Sequence, residues 1–167
     1  MRRERGPFRY RRMQVMEGLG NDAYRPGAKP KGPVVCPGCG AAFHKGRWRW
    51  GAAPAGALKR RCPACRRIDE RLPAGFISLS GTFFTRHRKE VLARVKHCEQ
   101  QENAEHPLER VMAIENDGAN GRMVTTTSVH LARLIGHALE RAFKGELTRS
   151  HNRDDNVLRV RWSRALT

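Results

Sequence analysis

Two cysteine pairs, Cys36-Pro37-Gly38-Cys39 and Cys62-Pro63-Ala64-Cys65, constrain this chain more than any other feature. Each is a C-x-x-C knuckle, a tight turn whose two sulfurs reach one point, and 22 residues lie between Cys39 and Cys62. Two knuckles close a tetrahedral four-thiolate sphere, the donor set that zinc takes in structural sites. A redox dithiol is the alternative, but it needs one C-x-x-C beside a βαβ pattern. Two knuckles, each with Pro after its first Cys and with Arg-rich flanks, favour Zn2+ at Cys36, Cys39, Cys62 and Cys65. A closed sphere offers substrate no position, so the metal is expected to hold the fold. Function then falls to the surface it organises. Cys98 sits on an apolar helical stripe and reads as a buried core thiol. His44 reads as a surface residue or an RNA contact.

Charge is the second constraint. The 167 residues carry 33 Lys and Arg against 16 Asp and Glu, a formal net charge of +17. Such an excess favours a polyanionic partner, and nucleic acid is the commonest. It is also uneven. Nine cations oppose three acids in residues 1–35, nine oppose two in residues 36–75, and 15 oppose 11 in residues 76–167. No apolar run approaches the roughly 18 residues that span a bilayer, so no membrane partner is expected. No h-region follows Arg2, Arg3 and Arg5, so no secretory signal is expected, and glycines and Pro7 interrupt any amphipathic transit helix. Thiols kept as metal ligands suit a reducing compartment, and the expected location is cytoplasmic.

Three segments follow. Residues 1–33 read as a basic arm and linker, with Arg9, Arg11 and Arg12 interleaved with Phe8 and Tyr10. Such an arm either stays disordered or orders on a phosphate backbone. Residues 34–72 read as a zinc ribbon, with Ala41 to Trp50 as one strand and Pro54 and Gly56 in a loop. Residues 73–167 read as one α+β unit. Strands are expected at Phe76–Ser80, Leu108–Glu115, Arg122–Thr127 and Val157–Trp162. Helices are expected at Thr82–Glu105 and after a cap at Thr127 or Ser128, with Leu131, Leu134, Ile135, Ala138, Leu139, Ala142 and Phe143 on the buried side. The hairpin signal Asn116–Gly121 joins the second and third strands. The order β-α-β-β-α-β is the ferredoxin-like pattern.

Candidate contacts to nucleic acid cluster in three places besides the arm. Arg47 and Arg49 alternate with Trp48 and Trp50. The tryptophans either cover the small ribbon core or stack on unpaired bases between phosphate-binding arginines. Lys59, Arg60, Arg61, Arg66 and Arg67 crowd the second knuckle, where a phosphate backbone would relieve their repulsion. His130, Arg133 and His137 share the polar face of the last helix, with Arg141 beyond them; an ordinary solvated face is the alternative. No H-E-x-x-H, P-loop, G-x-S-x-G or His-x-Glu deaminase signature is present, so no catalytic residue and no small-molecule substrate are expected.

Cys36–Cys39, Gly46-Arg47-Trp48, Pro54-Ala55-Gly56, Cys62–Cys65, His106-Pro107-Leu108-Glu109-Arg110 and the stretch from Thr125 to Leu139 resemble a family of small bacterial zinc-ribbon proteins. That resemblance covers roughly residues 34–162. The family's ribbon is similar to that of the Nmd-type adaptors, which bind the large ribosomal subunit. The resemblance implies association with the ribosome and its RNA. A single ribbon on a short chain departs from the multi-knuckle adaptors, so an export role does not carry over. Only the four cysteines match position by position. The expectation is a non-catalytic ribosome-associated RNA-binding protein acting in stress, hibernation or subunit maturation. A zinc-ribbon DNA-binding regulator is the second reading, although no helix-turn-helix is visible.

Overall fold

The computed structural model describes residues 30–167, so the contacts expected at Arg9, Arg11 and Arg12 lie outside the described residues. The described chain builds two sheets. The smaller has the order β3-β2-β1-β4, from β1 (Val34–Val35), β2 (Ala42–His44), β3 (Arg47–Arg49) and β4 (Leu58–Lys59). The single strand expected over Ala41–Trp50 is two. Lys45 and Gly46 both take positive φ, 50° and 80°, and this two-residue turn folds β3 back on β2. Phe43 therefore pairs with Trp48, and their rings lie 5.5 Å apart.

A helix that the sequence did not announce begins inside the second knuckle: α1 spans Pro63–Glu70. Cys62 is its N-cap, and its sulfur accepts a hydrogen bond from the Cys65 N–H. Pro63 at the first helical position loses nothing, because that N–H has no intrahelical partner. Arg71, at φ 54°, ends the helix in the left-handed region.

The larger sheet has the order β6-β7-β5-β9-β8, from β5 (Gly75–Ser80), β6 (Val111–Asp117), β7 (Gly121–Thr126), β8 (Glu146–Asn152) and β9 (Val157–Ser163). Two long helices, α3 (Arg88–Glu105) and α4 (Val129–Phe143), pack with it around one core. The expected helix over Thr82–Glu105 is interrupted at His87, which leaves a short α2 (Thr82–Arg86) before α3. The His87 ring stacks on Phe83, centroids 4.3 Å apart. Ser128 caps α4, its hydroxyl accepting from the Leu131 N–H at 2.9 Å. Leu131, Ala132, Ile135, Gly136 and Leu139 are buried, while Ala142, expected inside, is exposed.

The β-α-β-β-α order holds as far as α4 and then changes. Two strands follow instead of one. β8 takes the edge and β9 inserts between it and β5, parallel to β5. The strand after the second helix is thus not the neighbour of β5. The alternation in β9 fixes this arrangement. Leu158, Val160 and Trp162 are buried, while Arg159 and Arg161 are exposed. A strand with three buried apolar residues belongs inside the sheet, whereas β8, exposed except at Leu147, tolerates the edge. No helix among the described residues is long and apolar enough to cross a membrane.

Trp162 is the largest fully buried side chain, and its indole N–H donates to the Lys144 carbonyl at 2.8 Å. Phe83 and Phe143 pack against it. Trp162→Ala should cost about 3–5 kcal/mol in urea unfolding of the metal-loaded protein. A loss below about 1 kcal/mol would show that this core collapses around the gap or does not carry the fold.

Candidate metal centre

The two knuckles meet. The sulfurs of Cys36, Cys39, Cys62 and Cys65 all lie within 4.8 Å of one another. The first knuckle is a closed turn, with the Gly40 N–H donating to the Cys36 carbonyl at 2.9 Å and the Cys36 N–H to the Ala41 carbonyl at 2.8 Å. Gly40 takes φ 80°, which suits glycine. A side chain at Gly38 would meet the Arg61 guanidinium at 2.9 Å and the Cys65 sulfur at 3.2 Å, so it would displace Arg61 and crowd the cluster. Strand β4 brings the second knuckle alongside through its parallel pairing with β1.

The donor set fits a metal ion. Cys39 Sγ and Cys62 Sγ are 3.8 Å apart, about the edge of a tetrahedron with roughly 2.3 Å metal–sulfur arms. All four cysteines are free rather than bridged. Backbone N–H groups aim at the sulfurs, Cys62 N–H at Cys36 Sγ (3.2 Å) and Cys65 N–H at Cys62 Sγ (3.4 Å). Burial pushes the Cys36 thiol up, yet amide donors at Cys62, Cys39 and Gly38 outweigh it and bring it down to about 6. At Cys62 burial wins and holds the thiol well above its ordinary value, and burial likewise raises Cys65. A cation at the centre would reverse that balance by stabilising every thiolate.

One partner of this cluster comes from outside the small sheet. Arg110, just before β6, directs Nη1 to Cys65 Sγ and Nη2 to Cys62 Sγ, each at 3.4 Å. Burial disfavours its charge, but the hydrogen bond to Cys65 and the charges of the cysteines outweigh it and hold its pKa above the ordinary value. Four thiolates on a divalent cation leave a double negative charge, and a guanidinium fork across two sulfurs offsets part of it. Arg110 is itself fixed. Its Nε–H donates to the Pro107 carbonyl at 2.9 Å, and its backbone N–H donates to Thr127 Oγ1 at 3.0 Å. Leu108 packs on the cluster from the same segment, and Trp48 packs on it from β3. The sequence held Arg110 within His106–Arg110 but gave no sign of its target, 45 residues away at Cys65.

The sequence-derived contact residues separate into groups. Arg47, Arg49, Lys59 and Arg60 are exposed on the small sheet and the segment after it. Trp48 is half-buried against Phe43 and the cluster, which matches the reading of a core cover. Trp50 is 40% exposed, and its indole N–H donates to the Asn103 carbonyl of α3. Around the second knuckle the cations do not simply repel. Arg61 pairs with Asp69 at 2.5 Å. Arg66 is exposed. Arg67 is buried, and its Nη1 donates to the Leu72 carbonyl at 2.9 Å, so it secures the end of α1. On α4, His130 faces Glu102 of α3 at 3.5 Å, Arg133 is exposed, and His137 accepts from Arg149 Nη1 at 2.8 Å with Glu140 at 3.7 Å. Those carboxylates and Arg149 make the α4 face a mixed one. His44 is exposed and Cys98 is buried in the core, as expected.

Fold and centre together define a mixed α+β protein with two sheets and a four-cysteine cluster positioned to hold a metal ion. No protein-family model, curated protein or solved structure matches the chain.

Arg110→Ala should lower metal affinity by about 10- to 100-fold in a chelator competition, with Arg110→Lys in between. Unchanged affinity in Arg110→Ala would mean the guanidinium does not stabilise the thiolates.

Proposed function

We propose that the metal is Zn2+, that the small sheet with its knuckles is a zinc ribbon, and that the chain is a non-catalytic, cytoplasmic RNA-binding protein that docks on the ribosome through rRNA phosphates. The larger unit shares the β-α-β-β-α start of a ferredoxin-like domain and departs from it in its last two strands, where β9 lies parallel to β5. One observation carries this reading. Burial and pairing withdraw Arg67 and Arg61 inward or into an ion pair, yet Lys45, Arg47, Arg49, Lys59 and Arg60 are exposed on a module whose segment 36–75 holds only two acids. A metal-stabilised scaffold that keeps cations at its surface is suited to a phosphate backbone. Four thiolates fill the coordination sphere of zinc, which supports a structural and not a catalytic metal. The resemblance of the knuckles to ribosome-binding adaptors supports the ribosome over other polyanions.

Co-sedimentation of the metal-loaded protein with ribosomes at about 0.1 M and about 0.5 M salt tests the partner. Stoichiometric binding to one particle that survives the higher salt is expected. Binding that spreads over all particles or prefers duplex DNA would favour the regulator reading. Changing Arg47, Arg49, Lys59 and Arg60 together to Ala should flatten the salt dependence by about 0.7–0.9 in log–log slope for each phosphate no longer neutralised. An unchanged slope would place the binding surface elsewhere.

A further inference from the structure

A cleft of about 780 Å³ lies where the ribbon meets the larger domain. One wall is Gly46–Trp50 and the other is Ala104–Glu109, the connection from α3 to β6, with His130 of α4 also lining it. Its size falls within the range of single-ligand sites and is far too small for a duplex. Its chemistry is sorted by side. Arg47 and Arg49 stand on the ribbon wall, and Glu105 stands on the domain wall. The other acid there, Glu109, is already engaged with the Ser128 hydroxyl.

Trp50 is the unusual element. It is 40% exposed, yet its indole N–H is tied to the Asn103 carbonyl. A hydrogen bond at the ring edge fixes the orientation of the indole without covering its faces. The ring is therefore held in place at the cleft at little further entropic cost to a ligand. A flat, anchored aromatic in a cleft that two arginines also line matches a base joined to a phosphate. In a duplex both faces of each base are already stacked, so only an unpaired base can use such a ring. The carboxylate of Glu105 repels phosphate from the domain wall, which directs the backbone to the arginine side.

We propose that this cleft binds one unpaired nucleotide of an RNA chain, with its base on Trp50 and its phosphate on Arg47 and Arg49. This rests on the nucleic-acid reading above and adds what that reading lacks, a site that distinguishes unpaired from paired RNA.

The test compares Trp50→Ala and Trp50→Phe with the parent full-length, metal-loaded protein. The probes are an unstructured oligoribonucleotide and the same strand annealed to its complement. Trp50→Ala should lose about tenfold in affinity for the unpaired strand and keep its duplex affinity, while Trp50→Phe should retain most of both. Metal content and far-UV circular dichroism of each variant confirm folding, and Trp50 is exposed enough for the change to be tolerated. Equal losses on both probes, or none, would overturn the cleft while leaving RNA binding intact. Failure of the parent protein to bind either probe would overturn the nucleic-acid reading itself, and the cleft with it.

Discussion

Four sulfurs held at one point organise this molecule. The first knuckle hangs between β1 and β2, and the second directly follows β4 and supplies the N-cap of α1. Neither two-residue strand β1 nor two-residue strand β4 has an apolar face large enough to stand alone. A cation held by the four sulfurs would turn these pieces into a module, because it would supply cohesion that so small a core lacks. The centre also reaches beyond the module. Arg110 spans two of its sulfurs from the larger domain, and Leu108 packs on the cluster from the same segment. The metal site is therefore also the joint between the two sheets.

That joint explains why the charged surface and the cleft occur together. The ribbon wall of the cleft is β3 and Trp50, and β3 owes its position to β2, the knuckles and the packing of Trp48 on the cluster. The domain wall is the Ala104–Glu109 connection, whose continuation into Arg110 grips the sulfurs. Asn103 reinforces it, its side-chain amide donating to the Pro107 and Glu109 carbonyls at 3.4 and 3.2 Å while its own carbonyl takes the Trp50 indole. The same fold decides which cations face outward. Arg67 and Arg110 serve the architecture, whereas Arg47, Arg49, Lys59 and Arg60 remain exposed.

Much of this was legible where a local rule acts alone. The knuckle spacing led to the metal cluster, the alternation of Val157–Trp162 led to β9, and a cap at Thr127 or Ser128 marked the start of α4, with Ser128 the one that serves. What stayed hidden depends on partners distant in sequence or on residues outside the usual preferences. Lys45-Gly46 lacks the Asn-Gly signal of a tight hairpin, and Arg-Trp-Arg continues the alternation across it, so two strands read as one. Helix α1 starts on a cysteine cap, which no propensity scale announces, and its arginines read as a charged flank. Glu146–Asn152 has no apolar period and is a strand only because β9 offers it an edge. Arg110 carried no local mark at all, since its role exists only once the cysteines have met.

If the metal centre holds the ribbon against the larger domain, and so builds the proposed RNA-binding surface, its removal must loosen both sides of the joint. Hydrogen exchange read by mass spectrometry on the full chain, with metal bound and after chelation, reports on each side separately. Chelation should release protection in residues 34–70 and in the Ala104–Arg110 connection, while β5, β7, β9 and α4 keep theirs. Loss of protection confined to the ribbon, with Ala104–Arg110 unchanged, would contradict this and leave the metal a local staple with no hold on the joint.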